Sequence, residues 1–185
     1  MAATVLIERY TDATGATATN ITSAVTVGQT LDSHTATVGT SNAIQIPTGA
    51  DKYGYWVHTG LNVTVAPATA INNIRWYSDG ATSLGTGVDI MVATIARASY
   101  VQATGTAGDT GDQLIVGNYA GLPAPVSAFT LTSGSPLTVA GSIAAATGVL
   151  GDFVIYQFTV ASTASPGPTS SPGPIETFTW AFDES

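Results

Sequence analysis

The run Asp152-Phe-Val-Ile-Tyr-Gln-Phe-Thr-Val160 constrains this chain more than any other stretch. Its alternating positions are apolar on both sides, with Val154, Tyr156, Phe158 and Val160 on one and Phe153 and Ile155 on the other. A strand at a water-facing surface would show one polar side, so this one is expected at the centre of a sheet, covered on both faces. A second run, Glu176-Thr-Phe-Thr-Trp-Ala-Phe-Asp183, alternates strictly, with Phe178, Trp180 and Phe182 on one face and Thr177, Thr179, Ala181 and Asp183 on the other. It is expected to be half buried, its threonine face turned to solvent or to a partner. Between the two, the proline-rich loop 165–174 (Ser165-Pro-Gly-Pro-Thr-Ser-Ser-Pro-Gly-Pro174) can sustain neither helix nor ladder, because proline lacks a donor and glycine is conformationally loose.

The chain has 185 residues, 44% of them hydrophobic, enough for a substantial core without covalent staples. It contains no cysteine, which removes disulfides and thiolate metal sites. Only 9% of residues are charged, against roughly a quarter in ordinary soluble domains, so Thr, Ser, Ala, Asn and Gly must cover most of the surface. The net charge is −8 and the only cations are Arg9, Lys52, Arg75 and Arg97, which argues against nucleic acid as a partner. No apolar run approaches the ~20 residues needed to cross a bilayer as a helix, so no membrane partner is expected. The N-terminus lacks the basic and apolar regions of a signal peptide, so the chain is expected to be made and kept in the cytoplasm, unless a signal has been trimmed. The low-lysine, threonine-rich makeup nonetheless resembles that of a protein exposed outside the cell. A virion component satisfies both observations.

In chain order, Thr4 to Tyr10 reads as a first strand or an arm, and Thr11 to Asn20 as loop. Short strands are expected over Ile21–Val27 and Ala43–Ile46, then over Tyr53–Val65 with a bulge or tight turn near Gly60. Asn72–Asp79 and Val88–Ile95 follow and read as a hairpin with a long loop. Ser99–Ala103, Gln113–Val116, Ser127–Thr132 and Pro136–Val139 are further short strands, Gly105–Asp112 is turn, and Ile143–Val149 holds one helical turn at most. Some ten short strands with frequent turns and no repeat indicate an all-β fold, a single β-sandwich or jelly-roll-like domain with short strands and long loops. Its expected core includes Trp76, Ile90, Val92, Phe153, Ile155, Phe158, Phe178 and Trp180. The organisation is an N-terminal segment or arm over 1–20 and a sandwich over 21–185. Val5, Leu6 and Ile7, apolar and followed by a loose Thr/Ala stretch, are the expected intermolecular contact of that arm.

Residues that could carry chemistry are few. Asp32-Ser33-His34 has the residue types of a hydrolytic triad, but sequence neighbours cannot adopt its geometry. His58, beside Trp56, reads as a packed histidine, and two histidines without cysteine make a poor zinc site. Asp109 and Asp112, and the Asp79-Gly80 turn, offer oxygen ligands to calcium without the acidic density of an EF-hand loop. Gly85-Thr-Gly87 and Gly105-Thr-Ala-Gly108 open no helix and so make no phosphate cradle. Tyr53, Tyr55, Trp56, Trp76 and Tyr77 would form a sugar-stacking platform if exposed, and a core if not. The expectation is a non-enzymatic protein with no catalytic residues and no cofactor.

At Asn73–Gly80, Gly85–Val88, Tyr100–Gly111, Gly151–Gly167 and Glu176–Glu184 the chain resembles small cysteine-free β-rich proteins encoded among the structural genes of tailed bacteriophages. The resemblance covers roughly residues 70 to 184 and is one of overall texture. It implies a virion structural role, foremost a capsid decoration (cement) protein on the head exterior, bound to the major capsid protein and to copies of itself, with a trimer favoured. A tail or neck structural protein and a carbohydrate-binding β-sandwich module are the alternatives.

Overall fold

The run singled out above forms the long strand β12 (Gly148–Val160) at the heart of the larger of two main sheets. The structure, a computed structural model, describes residues 2–22, 44–82, 84–165 and 176–185. The strand candidate over 23–27, Ala43, the Asp32-Ser33-His34 triplet and loop residues 166–174 lie outside the described residues. The fold is all-β, with several antiparallel sheets and, among the described residues, only single 3-10 turns at Arg97–Ser99 and Ala128–Thr130. Strands are numbered along the chain.

The larger sheet runs in the order β2 (Thr17–Asn20), β1 (Thr4–Thr11), β4 (Val57–Val65), β12, β6 (Val88–Ile95), β9 (Val126–Ser127), and β3 (Lys52–Tyr53) pairs with the end of β12. In the smaller sheet β5 (Ala70–Ser78) lies between β13 (Phe178–Glu184) on one side and β10 (Leu137–Val139) and β11 (Ile143–Ala144) on the other. A two-stranded hairpin, β7 (Gly105–Thr106) with β8 (Thr110–Gly111), stands apart. The two main sheets bury a shared core of Val57, Leu61, Val63, Ile71, Ile74, Trp76, Ile90, Val92, Leu150, Val154 and Tyr156. Tyr156 of the larger sheet meets Trp76 and Phe178 of the smaller at ring centroid distances of 5.8 and 6.0 Å. The two aromatic runs that bound the proline-rich loop therefore lie in different sheets and meet across the interior.

The outer face of the larger sheet has its own cover. Phe153 and Ile155 of β12 point away from the smaller sheet and pack with Tyr10, Trp56, Ala93 and Ile95 beneath Ala103, Leu114, Tyr119 and Leu122. These last four belong to the irregular segment 96–125, which lies over the sheet as a strap. Here the short strands expected at Ser99–Ala103 and Gln113–Val116 are absent, because their apolar side chains are buried by lying on a sheet that is already complete. Of Ser127–Thr132 only Ser127, the second residue of β9, is in a strand before the chain turns into the 3-10 helix.

Three further expectations are corrected. Asn72–Asp79 and Val88–Ile95 do not form a hairpin: β5 and β6 sit in opposite sheets, so that Trp76 and Ile90 turn inward toward one core. Thr11–Asn20 is not all loop, since β2 folds back on β1 through a turn at Asp12 (φ 68°) and Gly15 (φ 68°). The Asp12 carboxylate ties that turn, accepting hydrogen bonds from the hydroxyl and backbone N–H of both Thr14 and Thr17 and from Ala16 N–H. These bonds, the Thr17 hydroxyl first, hold its pKa well below the usual carboxylate range. Residues 1–20 are therefore not an arm. β1 pairs with β4 from Thr4↔Val65 to Tyr10↔His58, and Val5 and Ile7 pack against the inter-sheet core. The polar pair Glu8-Arg9 is buried, with Glu8 accepting hydrogen bonds from Tyr10 Oη at 2.8 Å and Asn62 Nδ2 at 3.0 Å.

The irregularity expected near Gly60 is present, but in the neighbouring strand. Leu61 pairs with Leu150 and Thr59 with Val154, so β12 bulges away over the residues between. The Arg97 guanidinium fills the notch, donating to the carbonyls of Gly151 (2.6 Å), Leu61 (3.0 Å) and Leu150 (3.2 Å). The rings of Tyr10 and Phe153 flank it at 4.8 and 4.7 Å. A Cβ at Gly60 would stand 2.5 Å from Arg97 Nη2, so only glycine leaves room for the plug.

Two stability predictions follow from this packing. Trp76→Ala should cost about 3–5 kcal/mol in urea denaturation, because the ring is wholly buried between the sheets. Deleting residues 2–11 strips β4 of its neighbour and should abolish cooperative unfolding. A truncated chain with the full-length urea midpoint would show β1 to be dispensable.

Candidate functional sites

His58 lies on the outward face of β4, wholly buried under the strap. Tyr119 fixes its tautomer. The phenol donates to the Ser99 carbonyl (2.8 Å) and accepts from Val101 N–H (3.1 Å), so its remaining lone pair takes the proton of His58 Nε2 at 2.9 Å. Nδ1 is then a bare acceptor, buried and without a hydrogen-bond partner. The imidazole packs against Tyr100 (4.3 Å between centroids) and Phe153 (5.3 Å), surroundings that disfavour a charge. Burial pushes its pKa down from 6.5 to about 3. The same burial drives the Tyr119 phenol up to about 12. A neutral imidazole with its one proton committed to a phenol positions a strap; nothing in this geometry presents a base to a substrate.

Two more side chains of the sheet anchor that strap. Gln157, the one amide in the β12 run, accepts from Leu114 N–H (2.7 Å) and donates to the carbonyls of Asp112 (2.7 Å) and Gly54 (2.9 Å). Trp56 donates from Nε1 to the Val101 carbonyl at 2.9 Å. Irregular backbone buried on a sheet needs partners for its polar groups, and these three residues supply them.

The other candidates are dispersed. Asp109 is ion-paired with Lys52, and Asp112 accepts the Thr104 hydroxyl at 2.6 Å, so each carboxylate has a protein partner of its own. Asp79 caps its own turn by accepting from Ala81 N–H at 3.0 Å. Among the described residues no three His, Asp or Glu side chains converge as a metal ion would require. The aromatic platform is core instead: Trp56 and Trp76 are fully buried and Tyr55 is nearly so, while Tyr53 and Tyr77 are half buried. Among the described residues the remaining apolar exposure is scattered, greatest at Val116 (66%) and Val149 (58%). No helix among the described residues is long and apolar enough to cross a membrane.

Among the described residues, two open grooves stand out. One, of about 400 Å3, is formed by residues 46–52 with Thr110. The other, of about 420 Å3, lies where β6 runs past β9, with Asp89, Ser127, Phe129 and Thr159 among its lining. Sequence reading missed the second groove because its residues come from four separate segments. The one available signal was Asp89, an acid in the otherwise apolar run Val88-Asp-Ile-Met-Val92. Comparison with protein-family models, with characterised proteins and with solved structures finds no match for this chain.

His58 supplies a test of the strap. Its folded pKa lies below its unfolded value, so the unfolded chain binds the proton first, and stability is lost as pH falls from about 6.5 toward 3. His58→Gln keeps an N–H for Tyr119 but takes no proton. Below pH 6 the wild type should lose about 1.4 kcal/mol per pH unit more than the variant, measured by urea denaturation. Parallel pH profiles would place His58 outside the buried cage.

Proposed function

We propose that this chain is a virion structural protein, a capsid decoration (cement) protein of the tailed-phage kind that docks on the outside of the head and stabilises it. Partners in this reading are the major capsid protein and further copies of the chain, with a trimer favoured, and the working location is the capsid surface. The role is binding, not catalysis. The observation that carries the proposal is β13: it pairs with β5 along one side, and its other side carries no strand among the described residues. An edge strand of seven residues offers a row of backbone donors and acceptors to an extended segment of a neighbour. Asp183 is tied to Arg75 and Asn73 of β5, and Glu184 accepts from Ala3 N–H, so the end of the edge strand is anchored by side-chain bonds on both sides.

The N-terminal strand enters this reading differently from the expectation. Val5 and Ile7 belong to the core beside β4, so docking is assigned to the β13 edge and not to exchange of residues 2–10. Attachment at many lattice points acts at high effective concentration, which lets individually weak edge contacts reinforce a shell.

Co-sedimentation of the purified protein with expanded heads tests this. The expected result is saturable binding at copy numbers that follow the lattice symmetry, with heads made more resistant to heat. Thr179→Lys, which puts a charge on the edge strand, should abolish binding while leaving the unfolding free energy from urea denaturation unchanged within about 0.5 kcal/mol. Labelling of tails or necks alone would move the protein to that part of the virion. No binding to any virion part would end the structural reading.

A further inference from the structure

The groove beside β6 has a built-in hydrogen-bonding face. Asp89 Oδ1 accepts from Ser127 Oγ (2.7 Å) and from the N–H of Ile90 (2.7 Å), which fixes the carboxylate plane. Its second oxygen, Oδ2, has no protein partner among the described residues. Across the ladder from Asp89 is Thr159, whose hydroxyl is shielded from solvent and lacks a hydrogen-bond partner. The half-buried ring of Phe129 and the side chain of Thr82 complete the walls. No cation lines the groove. Elsewhere, Lys52 is paired with Asp109, Arg75 with Asp183, and Arg97 fills the β12 bulge.

We propose that this groove is a binding site for a neutral saccharide. A sugar ring presents hydroxyl donors in its plane and C–H groups on its faces. An oriented carboxylate oxygen with threonine and serine hydroxyls answers the first, and an aromatic ring answers the second. The volume of about 420 Å3 is within the range of small-ligand sites. The lone Asp89 charge, with no compensating cation, excludes anionic ligands such as phosphates, sulfates and uronic acids. Thr159 lines the groove, and its hydroxyl has no partner in the free protein, so a ligand oxygen that reached it would satisfy a buried polar group. This site is independent of the β13 edge and of any role on a capsid.

The test is a titration of the isotopically labelled chain, followed by amide chemical shifts, with galactose, glucose, mannose and N-acetylglucosamine, and with glucuronate and glucosamine as charged controls. A neutral sugar should shift the amides of residues 87–89, 127–129 and 159–161, and glucuronate should not. Asp89→Asn and Phe129→Ala should each weaken the response at least tenfold, about the effect of losing a charge-assisted hydrogen bond or a stacking face. An unchanged amide spectrum elsewhere shows that each variant is folded. The proposal is overturned if no neutral sugar shifts those residues, if the shifts survive Asp89→Asn, or if only glucosamine acts, which would make Asp89 a seat for cations.

Discussion

Everything in this fold follows from β12 being apolar on both faces. A strand that buries Val154 and Tyr156 on one side and Phe153 and Ile155 on the other needs two covers, and a two-layer sandwich supplies only one. The second cover is the strap, residues 96–125, which has almost no ladder of its own. It stays in place because His58, Trp56 and Gln157 meet its backbone and its Tyr119 phenol from below. Burying these polar groups is favourable only because they find each other. The Arg97 plug solves a related problem, satisfying three carbonyls where β12 bulges and β4 can no longer pair with it.

The parts of the fold that were legible in the sequence are those governed by side-chain alternation. The two-faced run at Asp152–Val160 and the one-faced run at Glu176–Asp183 fell where their patterns put them. So did Trp76, Ile90, Val92, Phe153 and Ile155 in the core, while Phe158, Phe178 and Trp180 are half buried against it. Alternation carries no information about which sheet a strand joins, so the expected hairpin of β5 and β6 gives way to strands in different layers. It is equally silent on a segment whose backbone is satisfied by distant side chains. Val101 and Leu114 look like strand residues, but their backbone partners are Trp56 and Gln157, many residues away.

β1 shows how a local signal misleads. Apolar Val5, Leu6 and Ile7 ahead of a loose Thr/Ala stretch suggest an arm, while Glu8 and Arg9, which follow them, look like surface residues. Both are buried, and Glu8 is held by Tyr10 and Asn62, residues whose proximity only the antiparallel pairing of β1 with β4 creates. On the candidate sites, the sequence pointed to conspicuous residues, and the structure disperses them: Asp109 and Asp112 take separate partners, and the aromatic row is interior. The groove beside β6 has one faint mark, Asp89 in the apolar run of β6, and its other contributors are unremarkable until four segments converge.

Amide hydrogen exchange on the native chain tests most directly that the strap is an integral second cover. Leu114 N–H is bonded to Gln157 and Val101 N–H to Tyr119, so both should exchange as slowly as the β12 amides of Phe153 to Gln157, by global unfolding. If instead Leu114 and Val101 exchange at the rates of exposed loop amides while β12 remains protected, the strap opens independently. The outer face of the larger sheet would then not depend on it.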